Sequence, residues 1–81
     1  MAIIKVYGTD SCTMTTRTLE HLRGRGIDYD YIDIEGDPQA SAWVKEQNDG
    51  KEKKPTLAID GMILSEPTND ELDEALAQAK A

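Results

Sequence analysis

One cysteine in 81 residues excludes an intramolecular disulfide, and it excludes a metal site built from several thiolates of one chain. No metal centre is expected. There is no run of 18 apolar residues, and the N-terminal "MAIIKVYG" is too short an apolar stretch for a signal peptide. A cytoplasmic location is therefore the default expectation, with no membrane association. Positive charge is scarce as well: nine Lys and Arg stand against 16 Asp and Glu, a formal charge of −7. Long-range repulsion of that size disfavours nucleic acid and anionic membranes as partners. Internal repeats, low-complexity runs and linkers are absent, and the length leaves room for one core, so residues 1–81 read as a single domain.

What is present suits a folded protein, with 38% hydrophobic and 31% charged residues. The charge is uneven. Residues 1–27 carry four basic and two acidic side chains, whereas residues 28–81 carry five and fourteen. The cysteine, Cys12, lies in the less acidic third.

Hydrophobic periodicity divides the chain into seven elements. Residues 2–7 ("AIIKVY") are β-branched and apolar, a buried strand closed by Gly8 and the polar turn "GTDS". From Cys12 to about Arg25 a helix is expected, stopped by Gly24 and Gly26. Ile27 to Ile34 ("IDYDYIDI") reads as a second strand, parallel to the first through a right-handed crossover. A second helix starts with Asp37 as N-cap and Pro38 at its first position, and ends near Asn48. "PTLAIDGMILS" is a hairpin about Asp60-Gly61, a dipeptide that accepts the positive φ of a type I′ turn. Thr68 and Glu71 in "TNDE" form a capping box ahead of a last helix carrying Leu72, Ala75, Leu76 and Ala79. The order βαβαββα predicts an α/β fold, a mixed sheet with helices on its faces. Tyr7, Tyr29, Tyr31 and Trp43 are expected in or beside the core rather than as a stacking platform.

Cys12 stands at the start of the first helix, where unpaired backbone N–H groups and the helix dipole lower a thiol pKa. Thr15 and Thr16 follow three and four residues on, on the same helix face, and their hydroxyls can donate to sulfur. Asp10, two residues before the cysteine, is expected to oppose this by raising the thiol pKa. His21 lies about two and a half turns further on, faces elsewhere and reads as a surface residue. Unpaired cysteines are often inert buried fillers. The residues alone leave a reactive and an inert thiol both open. "KEKK" at 51–54 gathers three of nine basic residues before Pro55, either as a solvated loop or as a landing site for carboxylates.

"VYGTDSCTMT", "IDYDYIDIEGDPQASAWV" and "KKPTLAIDG", in this order and spacing, resemble the glutaredoxin-like branch of the thioredoxin superfamily. Within it they look most like mycoredoxins and the small redoxins that supply electrons to ribonucleotide reductase. The resemblance covers nearly the whole chain and implies a thioredoxin-like fold, a four-stranded mixed sheet flanked by three helices. It implies that Cys12 is the nucleophile of a C-x-x-C motif and that Pro55 is a cis-proline facing it. Lys54, Pro55 and Thr56 would then offer backbone groups to an extended substrate. Ser65 and Thr68 would lie where the family contacts its low-molecular-weight thiol.

The chain departs from the family pattern at one decisive position, because Thr15 replaces the resolving cysteine. A dithiol cycle closed by an internal disulfide is chemically impossible. The expected function is a monothiol oxidoreductase that reduces mixed disulfides between proteins and a small thiol, with Cys12 and Thr15 as the catalytic pair. Glutathione or a mycothiol-like thiol would be the co-substrate, oxidised proteins the partners, and the working form a monomer. The alternative is a redox-inactive module whose Pro55 groove holds a thiol ligand or peptide.

Overall fold

The computed structural model describes residues 3–79. Its elements are β1 (Ile4–Gly8), α1 (Thr13–Gly24), β2 (Asp30–Asp33), α2 (Pro38–Gln47), β3 (Thr56–Ile59), β4 (Met62–Ser65) and α3 (Asn69–Ala79). The strands lie in the order β2-β1-β3-β4, with β1 parallel to β2 and the other neighbours antiparallel. The expected βαβαββα order and mixed four-stranded sheet are both present. Ala2, expected to open the first strand, lies outside the described residues.

Strand alternation divides the interior into two layers. On one face Ile4 and Val6 of β1 join Leu57 and Ile59 of β3 beneath Leu19 and Leu22 of α1 and Leu72, Ala75 and Leu76 of α3. Each fully buried leucine there contributes about 1.5–3 kcal/mol. The other layer is thinner: Ile34, Ala40 and Val44, with Tyr7, Ile32 and Trp43 packed against them. Trp43 stacks on Tyr7 at 4.4 Å between ring centroids.

Local chemistry sets most boundaries. The Asp37 carboxylate accepts the Ala40 N–H at 3.0 Å and Pro38 follows it, which starts α2. Asp60 and Gly61 adopt φ of 48° and 85°, closing the hairpin with Ile59 opposite Met62. The Thr68 hydroxyl accepts the Glu71 N–H at 3.1 Å while the Glu71 carboxylate accepts the Thr68 N–H at 2.9 Å, a reciprocal capping box.

The second strand is shorter than expected, running Asp30–Asp33 instead of from Ile27 to Ile34. The helix exit explains its late start. Gly26, at φ 69°, sends its N–H to the Arg23 carbonyl, and the Ile27 N–H reaches the Leu22 carbonyl at 3.0 Å. This Schellman closure of α1 engages Ile27, and pairing with β1 begins only at Lys5 opposite Asp30.

Candidate active site

Cys12 is the N-cap of α1, with extended backbone (φ −87°, ψ 118°), one residue outside the helix it was expected to begin. Its carbonyl receives the Thr16 N–H at 3.1 Å and the Thr16 hydroxyl at 3.3 Å. Thr16 thus serves the backbone rather than the sulfur. The Cys12 side chain makes no capping bond and is half-buried. Its S–H donates to the Lys54 carbonyl at 3.6 Å, across 42 residues of sequence.

Thr15 is the other half of the arrangement. It is 1% exposed, and its hydroxyl has no hydrogen-bond partner within the described residues. A buried donor without an acceptor is costly, and it gains one once the neighbouring sulfur carries charge. The balance at Cys12 follows from this. Burial pushes the thiol pKa up, but the Thr15 hydroxyl, the N–H groups of Thr15 and Met14, and the Lys54 charge outweigh it. The thiol is held below its ordinary value.

The expected opposition from Asp10 is not realised. Its carboxylate accepts the Tyr31 hydroxyl at 2.8 Å, and the net shift at Cys12 is downward. Tyr31 takes the perturbation instead, its phenol pushed far up by burial, by that bond and by the charges of Asp10, Asp33 and Glu35. His21 faces away from the site as expected, yet it is more than a surface residue. Its Nε2 lies 2.6 Å from the Asp73 carboxylate, which the Arg25 guanidinium also reaches at 2.8 Å. These contacts join α1 to α3.

The Lys54–Pro55 peptide bond is cis, with Pro55 and Thr56 fully buried. The "KEKK" segment is only partly a solvated loop: Lys51 and Glu52 are exposed, while Lys53 and Lys54 are half-buried. Glu52 accepts the Ser41 hydroxyl at 2.7 Å and pairs with Lys54 at 3.8 Å. Cys12, Thr15 and Lys54 therefore meet, with Pro55 and Thr56 directly behind. The hydroxyls of Ser65 and Thr68 have other partners, Asn48 and the Glu71 N–H respectively.

Two residues of the site escaped sequence reasoning. Gly8, the last residue of β1, lies so close to Thr15 that a Cβ there would meet its Oγ1 at 2.5 Å and its Cγ2 at 2.6 Å. A glycine ending an apolar strand just before the cysteine was the available signal. Asn48 offered none, because its side-chain partners lie four, eight and seventeen residues away. A cleft of about 440 Å³ between Ile3, Lys5, Tyr7, Trp43, Ala58 and Asp60 contains no thiol. Among the described residues no group of three or more His, Cys, Asp or Glu could hold a metal ion, and no helix is long and apolar enough to cross a membrane.

Comparison with known proteins agrees with this geometry. The glutaredoxin family model matches residues 4–64. Mycoredoxin 1 of Corynebacterium glutamicum is 37% identical over 68 residues, covering 83% of this chain and 84% of that protein. A Mycobacterium tuberculosis protein designated a glutaredoxin is 32% identical over 78 residues, 95% of this chain and 93% of its own length. Among solved structures, the glutaredoxin-like NrdH-redoxin of Escherichia coli superposes with a TM-score of 0.78 at 21% identity, over 88% of this chain and 91% of that one. The fold is thioredoxin-like, as the sequence resemblance implied.

Proposed function

This chain belongs to the glutaredoxin family of thiol oxidoreductases, and from that premise we propose that it reduces protein mixed disulfides by a monothiol route. The Cys12 thiolate attacks the small-thiol sulfur of a mixed disulfide. A new disulfide forms between Cys12 and the small thiol, the old S–S bond breaks, and the protein substrate leaves as its thiolate. A second small-thiol molecule, as thiolate, then attacks that adduct and leaves as the oxidised small-thiol dimer, restoring Cys12. Glutathione or a mycothiol-like thiol fills this role. No general base is needed where the attacking thiol is already ionised.

The observation that carries this reading is residue 15, a buried hydroxyl with an idle donor where a dithiol enzyme has its resolving thiol. The hydroxyl supports the Cys12 thiolate and cannot close an internal disulfide. We place an extended substrate along the partly exposed Lys54, with the buried Pro55 and Thr56 fixing that segment from behind, and Ser65 and Thr68 at the small-thiol end. We assign the activity to a cytoplasmic monomer, in keeping with the reducing milieu that a free thiol and its small-thiol partner require.

The test is turnover of a peptide carrying a glutathione or mycothiol mixed disulfide. Native protein is expected to release the peptide thiol catalytically, Cys12→Ser to lose release altogether, and Thr15→Ala to retain a reduced rate. Native-like turnover in the Cys12 variant would overturn the proposal.

A further inference from the structure

Asn48 is the buried C-cap of α2, 8% exposed. The last turn of α2 tightens, so that the Asn48 backbone N–H goes to the Lys45 carbonyl at 3.1 Å and the Val44 carbonyl loses its usual backbone donor. The Asn48 side-chain amide replaces that donor, with Nδ2 at 2.7 Å from the Val44 oxygen. The same Nδ2 donates to the Thr56 hydroxyl at 3.3 Å, and Oδ1 accepts the Ser65 hydroxyl. Thr56, wholly buried, uses its own proton on the Lys53 carbonyl at 2.9 Å. One side chain thereby ties the end of α2 to the start of β3 and the end of β4. Through Thr56 it also reaches the residue before Lys54.

We propose that Asn48 is the positioning residue of the active site, holding the Lys53–Pro55 wall in place so that Lys54 stands against Cys12. Asparagine suits the task because it offers two donors and an acceptor without charge, which a buried, connected network needs. Loss of the amide strands the Val44 carbonyl and frees the Thr56 hydroxyl to turn from Lys53. The wall then relaxes, and Lys54, whose carbonyl accepts the Cys12 S–H and whose charge acts on the sulfur, shifts from Cys12. The inference deepens the reading of the Cys12 site and rests on it for its bearing on turnover.

The test compares the rates at which iodoacetate and iodoacetamide alkylate Cys12 at low ionic strength. Both reagents consume the thiolate, so their rate ratio cancels the ionised fraction and responds to nearby charge. The native ratio is expected to exceed that of Lys54→Gln by about twofold, since the Lys54 charge acts on the sulfur but is partly offset by Glu52, 3.8 Å from its ammonium. Asn48→Ala and Thr56→Val should each lower the ratio to near the Lys54→Gln value. Thr56→Ser, which keeps the hydroxyl, should restore the native ratio; a network that only stabilised the fold would change melting temperatures and leave the ratio alone. Native ratios in both Asn48→Ala and Thr56→Val, or a Thr56→Ser as low as Thr56→Val, would overturn the assignment. Should Asn48→Ala not fold, the Thr56 pair carries the same decision. Mixed-disulfide turnover plays no part in the measurement, so an inert native protein would refute the oxidoreductase reading without touching this one.

Discussion

Replacing Gly8 with alanine places a methyl group where α1 crosses β1, and the structure sets what it meets. The new Cβ would lie 2.5 Å from Thr15 Oγ1, 2.6 Å from its Cγ2 and 3.1 Å from its Cβ. Ordinary contact between such atoms is about 3.5–4.0 Å, so two atoms overlap by roughly 1 Å. Thr15 cannot turn away, because two of its three staggered positions face Gly8, so rotation about χ1 always leaves at least one branch there and leaves the 3.1 Å Cβ contact. The helix must move off the strand. We expect a cost of about 2 kcal/mol, inside the 1–3 kcal/mol usual for overpacking, and a fall of about 8–16 °C in Tm for a domain of this size. Backbone strain contributes nothing, since Gly8 is not among the glycines at positive φ. Elsewhere Gly→Ala at a compatible position stabilises by about 0.4–1 kcal/mol, so the sign itself is diagnostic. Thermal unfolding of Gly8→Ala, Thr15→Ala and the double variant completes the cycle. Thr15→Ala removes Oγ1 and Cγ2, and in that background Gly8→Ala should cost less than about 1 kcal/mol. An equal cost in both backgrounds would refute the steric account.

Two further outcomes concern Thr15 and the Asp73 cluster. Thr15→Val keeps the side chain's shape but removes a hydroxyl that is unpartnered while Cys12 is protonated, so Tm below the thiol pKa should hold or rise. The pH midpoint of Cys12 alkylation should move upward, because the thiolate loses a donor. A lower Tm with an unmoved midpoint would contradict this. Asp73 is held below its usual 3.8 by the His21 hydrogen bond first, with the His21 charge and Arg25 adding to it and together outweighing desolvation. A depressed carboxylate stabilises the fold above its unfolded pKa, and that contribution disappears as pH falls through the folded value. The melting temperature of native protein should therefore exceed that of Asp73→Asn near neutrality and converge with it in acid. A gap that widened on acidification would reverse the assignment.

Local signals carried most of the fold. The Asp37 cap, the Asp60-Gly61 turn and the Thr68–Glu71 box each lie within four residues, and each formed as read. Cys12 and Thr15 were legible from helix spacing, but Thr16 was not distinguishable from Thr15. Which hydroxyl meets the sulfur depends on where the helix begins, and the cap residue turned out to be Cys12 itself. Asp10 was misjudged for a tertiary reason, since its partner Tyr31 lies 21 residues away on the neighbouring strand. Asn48 and Gly8 matter through contacts across elements, for which Gly8 left only the mark of a glycine closing an apolar strand and Asn48 left none.

The chain contains one tryptophan, and it lies on the thinner side of the sheet, stacked on Tyr7 beside α2. Its fluorescence is therefore a local gauge of that layer, while circular dichroism averages over all three helices. Superimposable melting curves from the two signals would describe one cooperative block. Separated curves would reveal a domain whose two layers loosen independently, and would do so without any added label.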